Sequence, residues 1–259
     1  MKKNFALILV ALFCLCLPDV SFPQPQEVSF SNRLRINPGI RFEYLSRKVT
    51  WGDENHASDL KATLIALNLE LEINEGFSIS ALAGYVLSDY DSLVFRQLPF
   101  SVELDTGNLG GYILGAEISK SLFYASDFEF GLWGQFLYHL GQEKTWDIPG
   151  LNVTGTVTGK PIWMRAYAGP YIKFTGLESF VPYLAVCYNN LWGRFEMKQA
   201  IQNLEGTEEK ELQSQSLVDI TVGSILDFSD HFFIKGEVHA LPHENSVDLG
   251  FVAIVAFSF

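Results

Sequence analysis

Apolar and other side chains alternate along the last part of the chain, over residues 246–259. One parity is apolar throughout and ends in an aromatic residue; it comprises Val247, Leu249, Phe251, Ala253, Val255, Phe257 and Phe259. A period of two indicates a strand with one apolar face, and this strand exceeds the ~5–6 residues of a typical soluble strand. Because chain ends usually fray, so strong a terminal strand predicts closure against the first strand. Lipid-facing and lumen-facing positions alternate in this way in transmembrane β-barrels.

The same alternation recurs along the chain and predicts ten strands. Their expected positions are 35–46, 60–73, 77–89, 109–122, 126–141, 160–174, 180–195, 215–228, 231–241 and 246–259. The sequence therefore predicts an all-β fold, a closed antiparallel up-and-down transmembrane β-barrel of ten strands, with eight strands as the alternative. A soluble β-sandwich also alternates, but it does not account for the length of the strands or the terminal phenylalanine.

The connections between the predicted strands alternate in length. Short turns are expected at 74–76, 123–125, 176–179 and 229–230, and longer connections at 47–59, 90–108, 142–159 and 196–214. Outer-membrane barrels combine tight periplasmic turns with long external loops. This asymmetry predicts that both ends of the barrel domain lie on the periplasmic side.

The amino-terminal segment has the pattern of a secretory signal peptide. Lys2 and Lys3 precede an apolar run over 5–17, and Pro18 follows. The run is too short for a stable transmembrane helix, so we predict a signal peptide at 1–21, with cleavage between 21 and 26, and a barrel domain at 27–259. No later apolar run reaches helix-spanning length, and Cys187 remains as a lone thiol without an internal disulfide framework.

Charge and aromatic content narrow the classes of partner. The chain has 18 Lys and Arg against 30 Asp and Glu, a formal net charge of −12, and nucleic acid is not an expected partner because phosphate binding needs clustered basic residues. The 21 Phe, 10 Tyr and 5 Trp fit the aromatic girdles of a barrel. The expected partner is outer-membrane lipid, and no cofactor is expected.

The chain resembles small bacterial outer-membrane barrels of the OmpA-transmembrane, OmpX and opacity-protein kind. The resemblance rests on the signal peptide, the alternating strand Gly110–Glu117 and the terminal pattern Phe251-x-Ala253-x-Val255-x-Phe257-x-Phe259. It implies that the barrel assembly machinery reads the terminal strand, with Val255, Phe257 and Phe259 as the assembly signal. Many of these relatives have eight strands, which is where this chain departs from them.

With the apolar parity facing outward, charged side chains of both signs point into the predicted lumen. They are Arg41, Glu43, Glu70, Glu72, Glu117, Glu129, Arg165, Lys173, Asp219, Lys235, Glu237, His239 and Asp248. A charge facing lipid at mid-bilayer costs ~2–4 kcal/mol, so the lumen is their favourable location. One interpretation is an ion-pair and hydrogen-bond core that fills the barrel, and the other is a gated polar path, that is, a narrow channel for small solutes.

Two long connections carry the expected surface role. The connection 196–214 includes an acidic stretch, Glu205–Glu211, which predicts a solvated loop tip, with divalent-cation bridging to lipid phosphate as the alternative. The connection 90–108 is unusually apolar; a hairpin that extends the neighbouring strands is the favoured interpretation, and a plug or a binding patch is the other. The predicted function is therefore structural or surface interaction (adhesion or binding) through these loops.

An enzyme is not expected, and a surface hydrolase is kept as a second alternative. Omptin proteases, which are ten-stranded barrels, need Asp and His groups at the external rim. Candidates at the predicted external end are Asp53, Glu54, His56, Asp59, His239, His243 and Glu244, whereas Ser229-Asp230-His231 lies in a predicted periplasmic turn. No Gly-x-Ser-x-Gly motif is present, and positions i and i+4 of a strand lie ~13 Å apart, so His239 and His243 do not predict a metal site.

Overall fold

A computed structural model describes residues 34–52, 57–74, 76–91, 93–95, 102–104, 106–148, 155–201, 204–243 and 246–259. The predicted signal peptide and residues 53–56 lie outside the described residues. The described part of the chain consists of strands and short connections. It contains no helix that is long and apolar enough to cross a membrane.

Fourteen strands form in the described part of the chain. They are β1 (Arg35–Trp51), β2 (Ala57–Asn74), β3 (Phe77–Tyr90), β4 (Leu93–Phe95), β5 (Val102–Leu104), β6 (Leu109–Ala125), β7 (Phe128–Gly141), β8 (Lys144–Asp147), β9 (Gly155–Phe174), β10 (Phe180–Ile201), β11 (Leu204–Ser214), β12 (Val218–Ser229), β13 (Phe232–His243) and β14 (Ser246–Phe257). Twelve of them belong to one antiparallel sheet, and β4 and β5 form a separate hairpin.

Ten strands of the large sheet close into a ring. Their order is β1, β2, β3, β6, β7, β9, β10, β12, β13 and β14, and β14 then pairs with β1. The closing register runs from Gly39 opposite Ala256 to Leu45 opposite Gly250. The backbone N–H and carbonyl of Phe259 also bond to Ile36, at 3.1 and 3.2 Å. The predicted closed antiparallel barrel is confirmed.

The two ends of the barrel differ. At the end that carries the chain terminus, called here the short-turn end, tight connections join β2 to β3, β6 to β7 and β12 to β13. At the opposite end, called the extended end, β1, β2, β9 and β10 are 17, 18, 20 and 22 residues long. A transmembrane β-strand needs only ~9–11 residues, so the extended end continues well beyond the thickness of a membrane.

The wall narrows toward the extended end, because one strand takes the place of three. Beyond Tyr188, β10 leaves β12 and pairs with β11 from Trp192 onward. Beyond Leu45, β1 leaves β14 and pairs with β11 from Val49 onward. Strands β12, β13 and β14 therefore end beneath β11. The ends of these three strands, at Val218, His243 and Ser246, are called the shoulder below.

The outer surface of the ring carries an apolar belt. Side chains such as Leu67, Leu114, Val222 and Phe251 are 70, 60, 58 and 47% exposed. At the short-turn end the belt becomes aromatic, where Phe123 stacks on Phe130, Phe128 contacts Phe174 and Phe232 contacts Phe257. Interfacial aromatic girdles next to an apolar outer band are typical of transmembrane barrels.

Three of the predicted connections are wrong, because strand structure continues through most of their described residues. Residues 47–51 and 57–59 extend β1 and β2, and 142–159 contains β8 and the start of β9. The acidic connection 196–214 is the β10–β11 hairpin, with Glu205 to Glu211 inside β11. Within 90–108, β4 and β5 pair antiparallel, but the expectation that this segment extends the neighbouring strands is wrong, because β4 and β5 form a sheet of their own.

The outward belt makes a direct prediction for Leu67. Replacing Leu67 by Arg should lower the stability of the barrel in lipid by ~2–4 kcal/mol, because the charge must face hydrocarbon near the middle of β2. Leu67→Met is the matched control and should leave stability within ~1.5 kcal/mol. Urea unfolding of the refolded barrels in vesicles measures both values. Equal stability of the Arg and Met variants would place Leu67 away from lipid.

Candidate functional site

A charged network fills the middle of the barrel. The guanidinium of Arg41 contacts Glu43 Oε2 at 2.9 Å and Glu117 Oε2 at 3.3 Å. Arg165 pairs with the other oxygen of Glu43 at 2.5 Å and donates to Gln135 Oε1 at 2.8 Å. These side chains come from β1, β6, β7 and β9, so the network crosses the lumen instead of following one strand.

A second group of charges continues the network on the β12–β13 side. Lys235 Nζ lies 2.9 Å from Glu237 Oε1 and 4.4 Å from the centre of the Trp133 ring. His239 lies between two carboxylates, with Nε2 3.1 Å from Glu237 Oε2 and Nδ1 3.1 Å from Asp219 Oδ2. Asp219 is fully buried and Glu237 nearly so. Buried charges are tolerated when each is paired and hydrogen-bonded, which this arrangement provides.

The remaining predicted lumen residues lie toward the two ends of the barrel. Near the short-turn end, Glu129 accepts hydrogen bonds from Tyr171 at 2.7 Å and Lys173 at 3.3 Å. Glu70 accepts from Asn37 at 3.4 Å, and Glu72 faces Arg35 at 3.9 Å. Asp248 lies near the shoulder, where its Oδ2 accepts from the backbone N–H of Lys48 at 2.7 Å.

The interior of the extended end is apolar, which the sequence interpretation did not anticipate. Trp51, Tyr90 and Phe195 pack ring against ring with centroid separations of 5.7 to 6.1 Å. They belong to one buried cluster with residues from most of the wall: Leu45, Val49, Leu60, Ala62, Leu64, Ala66, Leu82, Val86, Leu93, Leu109, Ile113, Leu137, Ile148, Val157, Trp163, Leu191, Met197, Ile201 and Leu212. Leu93, from the apolar connection 90–108, is fully buried in this cluster. We call this cluster the apolar layer.

Little space remains beside the charged network. A cavity bounded by Arg41, Gln135, Arg165, Asn189 and His239 has about 10 Å³ open to the centre of a water molecule. One water needs ~10–15 Å³ on this measure. The cavity therefore has room for about one water.

The side chain of Arg47 lies between the charged network and the shoulder. Its guanidinium donates to Asn189 Oδ1 at 2.8 Å and to the carbonyls of Asn189 and Ser216 at 2.7 Å. Ser216 in turn donates to the carbonyl of Pro242 at 2.8 Å. The link between β11 and β12 is thus fixed across the end of β13. Arg47 lay in a predicted loop, and this placement hid it from the sequence interpretation.

The structure separates the candidate hydrolase residues. Ser229, Asp230 and His231 form the β12–β13 turn at the short-turn end, and His239 belongs to the charged network. His243 lies at the shoulder, where its ring contacts Ser246, a residue that the sequence interpretation missed. Asp59 pairs with Lys48 at 3.0 Å, and Asp53, Glu54, His56 and Glu244 lie outside the described residues. Among the described residues, no group of three or more His, Cys, Asp or Glu side chains could hold a metal ion.

The residues of the predicted assembly signal lie on the outer face of β14 and just beyond it. Phe257 and Phe259 are 51 and 78% exposed, and Val255 is opposite Ile40 and Ile234 in the ladder. The terminal phenylalanine therefore presents its ring at the short-turn end while its backbone is paired with β1. Its role in assembly stays a prediction.

The charged network predicts unequal effects for two arginines. Replacing Arg165 by Leu should destabilise the barrel by ~3–5 kcal/mol, because it removes a buried cation from Glu43. Arg194→Leu is the matched control, since Arg194 is about half exposed and pairs with Glu196 at 2.7 Å on the outer surface. Its loss should cost less than ~1 kcal/mol. Urea unfolding in one detergent compares the two, and equal losses would contradict a buried network.

Comparison with known proteins identifies the fold. No protein-family model matches the sequence, and no curated protein matches it. Among solved structures the chain is similar to the outer membrane protease OmpT from Escherichia coli, with a TM-score of 0.53 and 11% identity over 90% of this chain and 97% of that one. The translocator domain of the autotransporter NalP from Neisseria meningitidis gives a TM-score of 0.45 and 12% identity over 100% and 98%. At such identities the likeness concerns the fold alone, and the chain has the fold of bacterial outer-membrane β-barrel proteins.

Proposed function

We propose that this protein is a sealed outer-membrane barrel that acts at the cell surface through its extended end, in a structural or binding role. The single observation that carries the proposal is the filled interior. The charged network occupies the middle of the lumen, and the apolar layer occupies the extended end. A conducting pore needs a continuous polar path, and the side chains of the charged network and of the apolar layer both block such a path.

The length of the strands supports a role outside the membrane. Strands β12, β13 and β14 have 12 residues each, which is enough to cross a bilayer. Strands β9 and β10 continue well beyond the shoulder, and the apolar layer packs inside that continuation. The extended end is therefore a folded β-structure with its own core, and it offers a fixed surface to a partner.

The outer face of the β10–β11 hairpin has an acidic character. Glu205, Glu209 and Glu211 on β11 point outward and are exposed, and Arg194 on β10 lies between Glu196 and Glu209 at 2.7 and 4.0 Å. Excess negative charge on a fixed surface favours a cationic partner and repels anionic ones. The proposed binding role therefore concerns a partner with a basic surface.

A narrow channel is the second candidate, and conductance separates it from the sealed barrel. The refolded wild-type protein should give no discrete current steps in a planar bilayer. A triple variant, Arg165→Ala with Trp51→Ala and Phe195→Ala, removes side-chain atoms from both the charged network and the apolar layer. If this variant inserts into the bilayer, it should give discrete current steps. Steps from the wild-type protein, in proportion to the protein added, would contradict the seal and favour the channel.

The proposed orientation predicts which end reaches the outside of the cell. In a Cys187→Ala background, a cysteine at position 209 should react with a membrane-impermeant maleimide on intact cells, because Glu209 lies on the exposed face of the extended end. A cysteine at position 230, in the exposed β12–β13 turn, should react only after the outer membrane is opened. The wild-type protein is a labelling control, since its Cys187 is buried. The reverse labelling pattern would mean that the barrel has the opposite orientation in the membrane.

A further inference from the structure

Three side chains at the shoulder form an array that the proposed function does not use. Ser246 and His243 are opposite each other in the β13–β14 ladder, and Ser246 Oγ is hydrogen-bonded to His243 Nε2. On the other side of the imidazole, Nδ1 lies 3.7 Å from Asp248 Oδ2. Hydroxyl, imidazole and carboxylate thus follow one another in the order that nucleophilic catalysis requires.

The surroundings of His243 favour the tautomer that a general base needs. The atoms that face Nδ1 are acceptors, the carbonyl of Leu241 at 3.5 Å and the carboxylate of Asp248. A proton on Nδ1 would point toward these acceptors, and Nε2 would then accept from the Ser246 hydroxyl. The tautomer of a histidine is set by the hydrogen bond that its other nitrogen makes.

The carboxylate of Asp248 is held in place by the main chain of the neighbouring strand. Its Oδ2 accepts from the backbone N–H of Lys48 at 2.7 Å, and Lys48 lies where β1 passes from β14 to β11. The side chain of Asp248 is largely buried, at 11% exposure, and that of His243 is at 9%. Ser246 is exposed. The base and its orienting group are therefore shielded, while the nucleophile is open to a substrate.

The position of the array indicates a lipid ester as the substrate. Below the shoulder, the outward side chains Val218, Val247 and Leu249 are 46, 54 and 45% exposed and belong to the apolar belt. Ser246 adjoins Val247 at the end of this belt, and its side chain is on the inward parity of β14 together with Asp248. In a bilayer, the ester groups of lipids lie between the acyl chains and the headgroups, which is the depth at which Ser246 would lie.

We propose that Ser246, His243 and Asp248 hydrolyse ester-linked acyl chains of outer-leaflet lipids; the lipid substrate rests on the membrane position proposed above. Ser246 Oγ attacks the ester carbonyl carbon while its proton passes to His243 Nε2. The carbon–oxygen bond to the alcohol then breaks, and the alcohol leaves with that proton. Water next attacks the acyl-serine, gives a proton to His243 and releases the fatty acid, and the proton returns to Ser246. Asp248 is a positioning residue that stabilises the imidazolium.

The test uses the purified full-length barrel in detergent micelles. A fluorophosphonate probe should label the wild-type protein covalently, and the protein should release fatty acid from a diacyl phospholipid in mixed micelles. Ser246→Ala should abolish labelling, and His243→Gln should lower both labelling and hydrolysis by at least about 100-fold. Asp248→Asn should lower the rate of hydrolysis and leave KM nearly unchanged, a split that a merely structural role would not produce.

The matched control is Ser229→Ala. Ser229 lies near His231 at the opposite end, where its hydroxyl accepts from the backbone N–H of that residue at 3.4 Å, so this variant should keep full labelling and activity. Heat-modifiable migration on gels verifies that each variant is folded.

A folded wild-type barrel that neither reacts with the probe nor cleaves lipid would overturn the proposal, as would labelling that persists in Ser246→Ala. Cleavage of a water-soluble ester without cleavage of phospholipid would overturn the lipid substrate. Detergent micelles expose both ends of the barrel, so this activity test does not depend on how the barrel is oriented in the cell. A negative result would therefore contradict the hydrolase and leave the proposed orientation to the labelling experiment.

Discussion

Pairing of β14 with β1 is the contact on which the rest of the structure depends. A lipid environment offers no partner for backbone N–H and C=O groups, so a sheet that crosses it must close on itself. The seam brings the two strands close at Gly39, where a Cβ atom would lie 2.6 Å from the carbonyl oxygen of Val255. A side chain at that position would push the strands apart. The closing register then decides which face of every strand meets lipid and which meets the interior.

Closure also leaves the interior to be filled, and this protein fills it with two different kinds of contact. Within the membrane-spanning ring, charged inward side chains pair across the lumen, as Arg41 does with Glu117. Above the shoulder the ring is narrower, since β11 stands in for three strands, and aromatic and aliphatic side chains meet across it. The narrowing makes an apolar core possible at the extended end, because facing walls come within packing distance of each other.

The shoulder follows from the same narrowing. Three strands end there, and Val218 and Ser246 at these ends are exposed. Ser216 bonds to the carbonyl of Pro242, and the backbone N–H of Lys48 bonds to Asp248, so the polar groups at this edge have partners. A serine and a histidine opposite each other at such an edge combine an exposed serine with a shielded imidazole, whereas Asp219 and His239, farther inside, are both enclosed by the network.

The outward face of the barrel could be predicted from the sequence because lipid requires an apolar residue at each outward position of each strand. The strands of the extended end were wrongly predicted as loops, because their outward residues face water and are polar. These outward residues, such as Glu209, are acidic and indicate a loop, and the strand signal lies in the inward residues Phe195, Met197 and Leu212. Along β2 the inward parity changes from Asn68 and Glu70 to Leu64 and Leu60, a change that marks the boundary between the charged network and the apolar layer.

Individual pairings could not be read from the sequence. Arg41 and Glu117 are 76 residues apart, and Arg47 and Asn189 are 142 residues apart. Their contacts depend on the closing register and on the tilt of the strands, which alternation alone does not specify. His243 and Ser246 are only three residues apart, but their contact follows from the register between β13 and β14, in which they are opposite each other.

Nitroxide scanning along β14 in lipid vesicles tests the central claim most directly. Single labels placed from position 250 to position 256 report collision with dissolved oxygen, which concentrates in hydrocarbon. The structure predicts high oxygen accessibility at Phe251, Ala253 and Val255, and low accessibility at Gly250, Val252, Ile254 and Ala256, a period of two with lipid on one face. Uniform accessibility along the strand, or maxima at the even-numbered positions, would contradict a barrel closed in this register.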